Sequence, residues 1–540
     1  MKIWKRDIFW LGLILLVAAG LKLWLLLAER VPFNADEAVV ALMARHILQG
    51  ERPIFFYGQA YMGSLDAWLV AGGFAIFGQQ VWVIRLLQTL LYLGTIATTY
   101  LIGKTILGSS RTGLIAAALL AVPTVNVTLY TTASLGGYGE AILIGNLMLL
   151  AVHAIGQRLL SDAPLAPRVW GGAVLWGFLA GLGLWSNALS LIYAIPSGLY
   201  LLWKLRWGSG WRRGWPIIPA ALVGFLLGSL PWWLYAAQAG LGHLIGELTG
   251  SAVAVEKGSY ALQILNHLFN LILLGGTVTF GFRPPWEVRW LGLPLLPFVL
   301  MFWAVVIIFM ARGIERKQEH WPERRMIVGV MVVFWLAFIL TSFGVDPSGR
   351  YFVPTAIPLA LIAAETIQQV SQKFWIRLAL IALVIGFHIY GTIQCALRYP
   401  PGITTQFYEP SVVDHRYLPE LIDFLKTEGE TTGYTNYWVS YPLAFESDES
   451  LIFVPRLPYH ADLRYTERDD RYAPYDAVVM QSTRAAYITT RNAPLDEYLR
   501  AQFTALGITW QERQIGDYQV YYRLSVLVRP EQIGLGSSTP

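Results

Sequence analysis

Long apolar segments are the feature that most constrains what this chain can fold into. Of its 540 residues, 55% are hydrophobic and only 14% are charged. A soluble protein of this length would carry more charge on its surface. An apolar run of about 18 residues or more is long enough to cross a bilayer as a helix, and such runs recur along the chain. The sequence therefore predicts a polytopic α-helical membrane protein.

We expect about eleven transmembrane helices from these runs. They cover residues 8–28, 80–103, 112–130, 139–157, 169–187, 188–203, 215–236, 290–311, 326–344, 352–370 and 376–396. The N-terminal segment has a basic flank and an apolar core, as a cleavable signal peptide would. Its core is longer than that of a signal peptide, and no small-x-small cleavage site follows it. We therefore expect this segment to remain as the first transmembrane helix.

Basic residues between the spans predict the orientation in the membrane. With this set of spans, all the basic clusters fall on one side: Lys2, Lys5, Arg6, Lys104, Arg111, Arg158, Arg168, Lys204, Arg206, Arg212, Arg213, Arg312, Arg316, Lys317, Arg324, Arg325, Lys373 and Arg377. Because Lys and Arg concentrate in cytoplasmic loops, that side is predicted to be cytoplasmic. The extracytoplasmic side then receives a first loop (29–79), a long loop (237–289) and everything after residue 397. The predicted location is the plasma or inner membrane, with a cytoplasmic N-terminus.

The tail after residue 396 differs from the rest of the chain, because its charge rises and no further apolar span follows. Amphipathic helices are predicted at 417–429 and 495–506, and short β-rich runs at 433–439, 451–454, 477–480 and 518–524. We therefore predict two domains, a transmembrane domain (1–396) and an extracytoplasmic α/β domain (397–540). The single cysteine, Cys395, excludes an intramolecular disulfide.

The first loop places two acids, Asp36 and Glu37, shortly after the first span. Asn34 is a favoured N-cap, and Glu37 stands at the third helical position, as in a capping box. The apolar spacing that follows predicts an amphipathic helix ending at Gly50. These features alone are those of any helix start at a membrane surface, where acids are favoured. An aromatic segment, Tyr57 to Asp66, comes next.

This loop resembles the first loop of the GT-C glycosyltransferases, in particular the branch containing protein O-mannosyltransferases, aminoarabinose transferases and RgtA/B/C/D-like transferases. The resemblance is carried by NADEA (34–38), by YGQAYMGSLD (57–66) and by their position after the first span, and extends over about residues 1–400. It implies a GT-C-like transmembrane domain. It also implies that the loop acid acts as a base on the acceptor or helps to hold a metal. Asp36 and Glu37 are therefore the candidate catalytic residues, and the candidate substrate-binding residues of the loop are Tyr57, Gln59, Tyr61 and Asp66.

The chemistry of such a transfer suits a carboxylate. Moving a sugar from a lipid phosphate to a hydroxyl requires a base for the acceptor, whereas the phosphate leaves as an anion and needs no general acid. Positive charge or backbone N–H groups would stabilise that anion. We therefore expect a carboxylate together with Arg or Lys on the extracytoplasmic face, rather than the paired carboxylates of a glycosidase.

Four more residues are candidates for substrate binding. Glu140 begins the fourth span, where related transferases often carry an acid facing the acceptor pocket; an interfacial acid without a function is the alternative. Arg350 and Tyr351, in the turn DPSGRY, resemble the family's contact to the lipid phosphate; a snorkelling Arg beside an interfacial Tyr is the alternative. Arg283, in GFRPPW, is a second candidate phosphate ligand.

A divalent metal ion is a possible cofactor, and no other cofactor is predicted. His46, His243 and His267 could join the acids around an ion, but no HxxE or HExxH spacing supports this, so structural roles are expected. Asn187 stands where some relatives carry Lys, which weakens any expectation of a cationic contact there.

The predicted function is a glycosyltransferase that moves a hexose or pentose from a polyprenyl-phosphate donor to an extracytoplasmic glycan, lipid or protein acceptor. The alternative is a transporter or flippase of polyprenyl-linked glycolipids, which predicts charged or broken helices near mid-membrane in paired halves. Few intramembrane charges and no paired halves are evident, and the acids gather at one face. A third reading is a polymer-assembly scaffold with a degenerate site. No nucleic-acid partner is predicted.

Overall fold

The computed structural model describes residues 2–159, 167–209, 214–246, 258–315, 321–346, 348–460 and 462–536. The chain divides into two compact units. The first, here called the membrane unit, consists of Met1–Ala28, Tyr61–Asp66 and Arg85–Ala396. The second, here called the loop-and-tail unit, consists of Glu29–Ala60, Ala67–Ile84 and Leu397–Pro540. Most of the first loop therefore belongs to the same unit as the C-terminal tail.

Helices make up the membrane unit. Their bounds are Lys2–Leu27, Val81–Thr105, Ser110–Ala121, Val125–Tyr130, Tyr138–Leu159, Pro167–Ser186, Leu191–Lys204, Ile217–Gly228, Leu230–Ala239, Leu241–Gly246, Tyr260–Phe269, Gly276–Thr279, Leu296–Glu315, Trp321–Leu340, Ala356–Val370 and Phe374–Ala396. Within the described ranges, eight helical stretches are long and apolar enough to cross a membrane: Arg6–Leu27, Val81–Thr105, Tyr138–Leu159, Pro167–Ser186, Ala188–Trp207, Tyr260–Thr279, Arg350–Val370 and Phe374–Ala396. The pair Ile217–Gly228 and Leu230–Ala239, bent by 64°, would make a ninth. The prediction of a polytopic α-helical membrane protein is confirmed.

Three of the predicted spans take another form. The span 112–130 is two helices, Ser110–Ala121 and Val125–Tyr130. Pro123 stands between them, and proline lacks the N–H that a continuing helix needs. The apolar part of the span predicted at 290–311 is shorter and begins at Leu296. The helix Trp321–Leu340, which matches the span 326–344, carries three charges in its first turns and falls outside the eight.

One predicted loop is wrong. The long loop 237–289 contains the stretch Tyr260–Thr279, which is long and apolar enough to span. The stretch is as apolar on average as Val81–Thr105, but polar residues such as Gln263 and Asn266 interrupt its apolar runs, so the prediction missed it. The predicted orientation depends on the number of spans, so a further span here would change it. Which side of the membrane each loop faces therefore stays a prediction. Four of the basic residues used for it lie outside the described residues: Arg212, Arg213, Arg316 and Lys317.

The first loop forms the predicted helix, Ala35–Gln49. Its start is capped by Asn34, whose side-chain oxygen accepts a hydrogen bond from the backbone N–H of Glu37 at 3.0 Å. Its end is capped by Gly50, which has a φ of 115°. Both predicted helix ends are therefore confirmed. A two-stranded sheet of β1 (Phe55–Phe56) and β2 (Gln59–Gly63) follows, and then a helix at Leu65–Phe77.

The tail folds as the predicted α/β structure, around a five-stranded sheet with strand order β4-β3-β5-β7-β6. Strand β3 pairs in parallel with β4 and β5, whereas β7 pairs antiparallel with β5 and β6. The strands are β3 (Thr432–Tyr434), β4 (Ile452–Val454), β5 (Ala486–Thr490), β6 (Gln511–Ile515) and β7 (Tyr518–Tyr522), and the helices are Leu418–Glu428, Tyr437–Glu446, Pro474–Gln481 and Ala493–Ala505. The buried core between them includes Leu421, Leu425, Val439, Phe453 and Ile488.

Two of the β-rich runs predicted in the tail are helical in part or in full. The run 433–439 is a strand only to Tyr434, because Asn436 caps a helix that begins at Tyr437. The run 477–480 lies inside the helix Pro474–Gln481, which starts with a proline, the residue best suited to the first helical turn. Strand β6, QERQI, was missed because its first four residues are exposed and polar, so it lacks an apolar alternation.

Candidate active site

Asp36 lies in the first turn of the loop helix and is half-buried. The hydroxyl of Tyr437 donates a hydrogen bond to its Oδ1 at 2.5 Å. Tyr437 is placed by the start of its own helix, where the side chain of Asn436 accepts from the N–H of Trp438 at 3.0 Å. A carboxylate from the first loop is thus held by a phenol from the tail, within the loop-and-tail unit.

Three further residues, Tyr459, Asp469 and Arg471, join Asp36 and Tyr437 in what we call the Asp36 cluster. Tyr459 hydrogen-bonds to Asp469, and both residues interact electrostatically with Asp36. The guanidinium of Arg471 lies over the ring of Tyr437, 5.4 Å from its centre. The cluster therefore combines a carboxylate with a neighbouring cation, as the chemistry of the predicted transfer requires.

Gly58, in the aromatic segment of the first loop, allows the chain to approach this cluster. It has a φ of +68°, a conformation that favours glycine. A Cβ at this position would lie 3.1 Å from Cδ and 3.2 Å from Cα of Arg471. These contacts are tighter than usual, so a larger residue here would require Arg471 to shift by a few tenths of an ångström.

The titration of the cluster follows from burial. Burial raises the pKa of Asp469 to about 7, although Arg471 and the hydrogen bond from Tyr459 lower it. Burial, and then the charge of Asp36, raise the pKa of Tyr437 well above its ordinary value. Tyr437 therefore keeps its proton and donates to Asp36 at neutral pH, whereas Asp469 changes its charge near neutrality.

The other candidate residues of this unit have different surroundings. Glu37 is fully buried in the loop helix. Tyr57 donates to Glu51 at 2.5 Å and lies 3.0 Å from Nδ1 of His46. The Nε2 of His46 lies 3.0 Å from Glu449, which supports a structural role for this histidine. Gln59 is half-buried in β2. In the loop-and-tail unit, the structure brings Asp36, rather than the other candidates, into the cluster with a cation.

Arg350 is the centre of a second cluster, in the membrane unit: Tyr61, Tyr138, Asp346, Arg350 and Tyr351. Its guanidinium pairs with Asp346 at 2.5 Å and lies 4.9 Å from the ring centre of Tyr351, and it interacts electrostatically with Tyr61 and Tyr138. The side chain is 34% exposed, whereas its Nε is buried and has no hydrogen-bond partner within the described part of the chain. Arg350 is therefore a partly exposed cation, the kind of group that can bind a phosphate.

Two buried acids, Asp66 and Glu140, lie next to each other in the membrane unit, each 2% exposed. Asp66 accepts hydrogen bonds from Gln88 at 3.0 Å and from Ser134 at 2.5 Å, and from the backbone N–H groups of Gly136 and Gly137. Because donors surround Asp66, it fastens the turn before Glu140. The same turn is held by Asn187, whose amide donates to the carbonyl of Gly136 at 3.1 Å.

Arg283 differs from Arg350, because its guanidinium donates hydrogen bonds to neighbouring protein groups. It donates to Thr277 and to the carbonyls of Leu274, Pro284 and Glu287, at 2.9–3.3 Å. It is only 7% exposed. The structure thus favours a structural role for Arg283 over contact with a phosphate.

Sequence reasoning missed Lys22 and three residues of the Asp36 cluster. Lys22, inside the first span, is 3% exposed and donates to Thr128, Thr131 and Thr132 at 2.6–3.0 Å. A charge inside an apolar span was a signal that could have found it. Tyr459, Asp469 and Arg471 gave no signal, because they lie more than four hundred residues after Asp36 in a segment without a motif.

The donor sets do not match a metal site. In the described ranges, no three His, Cys, Asp or Glu side chains come together in a group that could hold an ion. Asp36 has one acid, Asp469, and one cation, Arg471, in its cluster.

The sequence of this chain is similar to those of several known proteins. The profile of a family described as dolichyl-phosphate-mannose-protein mannosyltransferase matches residues 64–235. An undecaprenyl phosphate-α-4-amino-4-deoxy-L-arabinose arabinosyl transferase of Pseudomonas aeruginosa is 26% identical over 369 residues, which are 66% of this chain and 59% of the relative. Transferase 1 of the same description from Pseudomonas fluorescens is 26% identical over 56% of this chain and 47% of its own length. The chain thus spans about three fifths of the length of the Pseudomonas aeruginosa relative and just under half of the length of the Pseudomonas fluorescens relative.

Solved structures extend the similarity to the whole chain. The crystal structure of ArnT from Cupriavidus metallidurans bound to undecaprenyl phosphate matches with a TM-score of 0.61 at 14% identity, over 99% of both chains. The Archaeoglobus fulgidus oligosaccharyltransferase matches with a TM-score of 0.50 at 11% identity, over 90% of this chain and 69% of its own.

Fold and clusters together define a polytopic membrane protein of GT-C architecture, with a mixed α/β domain in its tail. The chain shares the fold of the ArnT structure and resembles, over part of its length, the mannosyltransferase family and the Pseudomonas arabinosyl transferases, in line with the GT-C resemblance of the first loop.

The raised pKa of Asp469 predicts a pH-dependent stability. An acid whose pKa is raised by folding favours the folded state at low pH, and this contribution is lost as the pH rises from about 4 through about 7. The Asp469→Asn variant should lack this loss, so its melting temperature relative to wild type should rise between pH 5 and pH 8. The difference corresponds to at most about 4 kcal/mol. It is measured by thermal unfolding of the purified proteins in detergent.

The exposed Asp423, changed to Asn, serves as the control and should follow the wild-type profile. A constant difference between Asp469→Asn and wild type across this pH range would show that Asp469 is already ionised at low pH.

Proposed function

We propose that this protein is a glycosyltransferase that moves a hexose or pentose from a polyprenyl-phosphate donor to an extracytoplasmic glycan, lipid or protein acceptor. The similar Pseudomonas enzymes are named for an undecaprenyl-phosphate-linked aminoarabinose, which makes a pentose of that kind the first donor to test. The observation that carries the proposal is the half-buried carboxylate of Asp36, held by Tyr437 in a cluster that also contains Arg471.

Asp36 acts as the general base in this proposal. Its carboxylate takes the proton of the acceptor hydroxyl while the hydroxyl oxygen bonds to the anomeric carbon of the donor sugar. The hydrogen bond from Tyr437 to Oδ1 fixes the orientation of the carboxylate and leaves Oδ2 for the acceptor. Direct displacement of the lipid phosphate inverts the configuration of the sugar.

The bond between the anomeric carbon and the phosphate oxygen breaks, and its electron pair stays on the phosphate. Arg350, in the membrane unit, is the candidate contact of a lipid phosphate. Its side chain is one third exposed, so its positive charge can stabilise a phosphate anion. Tyr61 and Tyr351, in the same cluster, provide a rigid aromatic wall for the phosphate and the sugar.

The remaining candidates have supporting roles. Asp66 holds the turn Ser134–Gly137 in the membrane unit, and Glu140 lies beside it. Tyr57 links its own segment of the first loop to Glu51 and His46 of the same loop. Glu37 stabilises the start of the loop helix through its backbone N–H and its position beside the helix dipole.

The proposed location is the plasma or inner membrane, with a cytoplasmic N-terminus and with the first loop and the tail on the extracytoplasmic side. The basic clusters between the predicted spans support this orientation.

Replacing the base should abolish most of the transfer. Asp36→Asn keeps the size of the side chain but cannot take the proton, so we expect kcat to fall by about 10²–10⁴-fold. Tyr437→Phe removes only one hydrogen bond to Asp36 and should cost about tenfold. The assay supplies purified protein with radiolabelled undecaprenyl-phosphate aminoarabinose and extracted membrane acceptors.

The matched control for Asp36→Asn is Asp423→Asn, on the exposed side of the tail helix Leu418–Glu428. Transfer unchanged in Asp36→Asn would remove Asp36 as the base. Lipid scrambling by the wild type without any sugar transfer would favour the flippase instead.

Removing the charge of Arg350 should weaken the stabilisation of the departing phosphate. We expect Arg350→Gln to lower kcat/KM for the donor by about 10²–10³-fold and to raise the inhibition constant of free undecaprenyl phosphate. Arg350→Lys keeps the charge but loses the planar fork. Its kcat/KM for the donor should therefore lie between those of wild type and Arg350→Gln.

Arg289→Gln is the control for this pair, because Arg289 is also in the membrane unit and also paired with a local acid, Glu287 at 2.8 Å. An Arg350→Gln enzyme that loses turnover but binds undecaprenyl phosphate as wild type does would contradict the phosphate contact.

Cysteine labelling tests the orientation. Leu506→Cys, exposed in the tail, should react with a membrane-impermeant maleimide in intact spheroplasts. Trp207→Cys, exposed at the end of the stretch Ala188–Trp207, should react only after the membrane is permeabilised. The native Cys395 is 1% exposed and sets the background. The reverse pattern would place the tail in the cytoplasm.

A further inference from the structure

A crevice with a volume of about 500 Å³ opens in the tail, at the end of the parallel strands β3 and β4. Tyr434 and Val454 are the last residues of these strands and lie opposite each other in the sheet register. In open α/β sheets, ligands bind outside the carboxyl ends of parallel strands. Pockets for small molecules have volumes of about 300–1,000 Å³. The position and the volume of the crevice are therefore those of a ligand site. Its lining contains no residue of the Asp36 cluster.

Tyr434 presents a polar group to this crevice. It is 5% exposed, and its ring packs on Tyr487 with 5.2 Å between ring centres. Its hydroxyl interacts electrostatically with Glu531, Arg529 and Arg456, which also line the crevice. A phenol hydroxyl can both donate and accept a hydrogen bond, so it can bind a ligand hydroxyl in the crevice.

The charges around the crevice disfavour an anion. Arg456 is already bound by Asp476 at 2.6 Å and by Asp470 at 3.1 Å. Arg529 is one more cation, but Glu531 is an exposed acid that forms no ion pair with a described residue. The cations are thus balanced by carboxylates, and a phosphate or sulfate would meet the carboxylates as well.

The other groups of the lining suit a polyol. Glu531, Gln532 and Arg529 carry planar groups that can bond two neighbouring hydroxyls at once. Val454, Val479 and Met480 add an apolar wall, against which the C–H face of a sugar ring can pack. A neutral sugar combines these two properties, because its hydroxyls lie on the rim of a ring whose faces are hydrocarbon.

We propose that this crevice binds one neutral sugar unit of a saccharide. The proposal rests on the proposed function in one respect, since a glycan acceptor of the transferase is the saccharide that the tail would hold. It assigns to the tail the task of retaining the acceptor near the membrane surface, apart from the chemistry of transfer.

Protection of an introduced cysteine tests the proposal on the full-length protein. Met480→Cys places a thiol on the crevice wall, where the residue is 59% exposed. Glucose, galactose, mannose, arabinose and N-acetylglucosamine are added separately, and the rate of maleimide labelling is measured. At a concentration tenfold above its dissociation constant, a sugar that binds should slow labelling about tenfold. The control is Val478→Cys, in the same helix but outside the crevice and 46% exposed, where labelling should not change.

Tyr434→Phe, made in the Met480→Cys background, tests the hydroxyl. The ring and its packing on Tyr487 are retained, so folding should be unaffected, as thermal unfolding will verify. The loss of one hydrogen bond should raise the dissociation constant of the protecting sugar about tenfold. An unchanged dissociation constant would overturn the assignment of Tyr434.

Three results would overturn the proposal as a whole: no protection by any of the sugars, equal slowing at Val478→Cys, or protection by inorganic phosphate in place of the sugars. Failure of the proposed function is a separate result. If the wild type transfers no sugar but Met480→Cys is still protected, the transferase activity is wrong and the saccharide site stands.

Discussion

The hydrogen bond between Tyr437 and Asp36 is the interaction on which the candidate site depends. It joins the first loop to the tail within one compact unit, although the two residues are 401 positions apart. Neighbouring contacts support it. Arg45, on the loop helix, pairs with Asp448 at 3.0 Å and lies 4.6 Å from the ring centre of Phe445. The loop helix and the helix Tyr437–Glu446 thus present a preformed carboxylate, whose orientation is decided by groups from both.

Buried polar groups impose a second constraint, in the membrane unit. A charge or hydroxyl removed from water must find its partners inside the protein. Lys22 finds three oxygens on the segment Thr128–Thr132, and Asp66 finds Ser134 and two backbone N–H groups a few residues later. These bonds hold the chain just before Glu140. Many of the polar contacts inside the membrane unit therefore fix the backbone.

Local physics explains which parts of the chain could be predicted. The loop helix was predicted to both ends because its caps, Asn34 and Gly50, are short-range signals. The helix Leu418–Glu428 was predicted from its amphipathic spacing, which is also a local signal. The search for uninterrupted apolar runs found most spans but missed Tyr260–Thr279, and a proline divided the span predicted at 112–130. Likewise the tail run 477–480 looked like a strand only because the helix start before it was overlooked.

The sequence by itself determined the class of protein, its resemblance to the GT-C glycosyltransferases, the helical first loop and the acid that this loop presents. Each of these depends on composition, on spacing within about one helix or on a local motif. Only the tertiary structure decided that Asp36 is held by Tyr437, that Gly58 makes room for Arg471, that Asp469 titrates near neutrality, and that Arg283 is bonded to neighbouring groups whereas Arg350 is partly exposed. The reason is physical: burial, pairing and proximity between residues hundreds of positions apart are set by packing, and no local pattern in the chain records them.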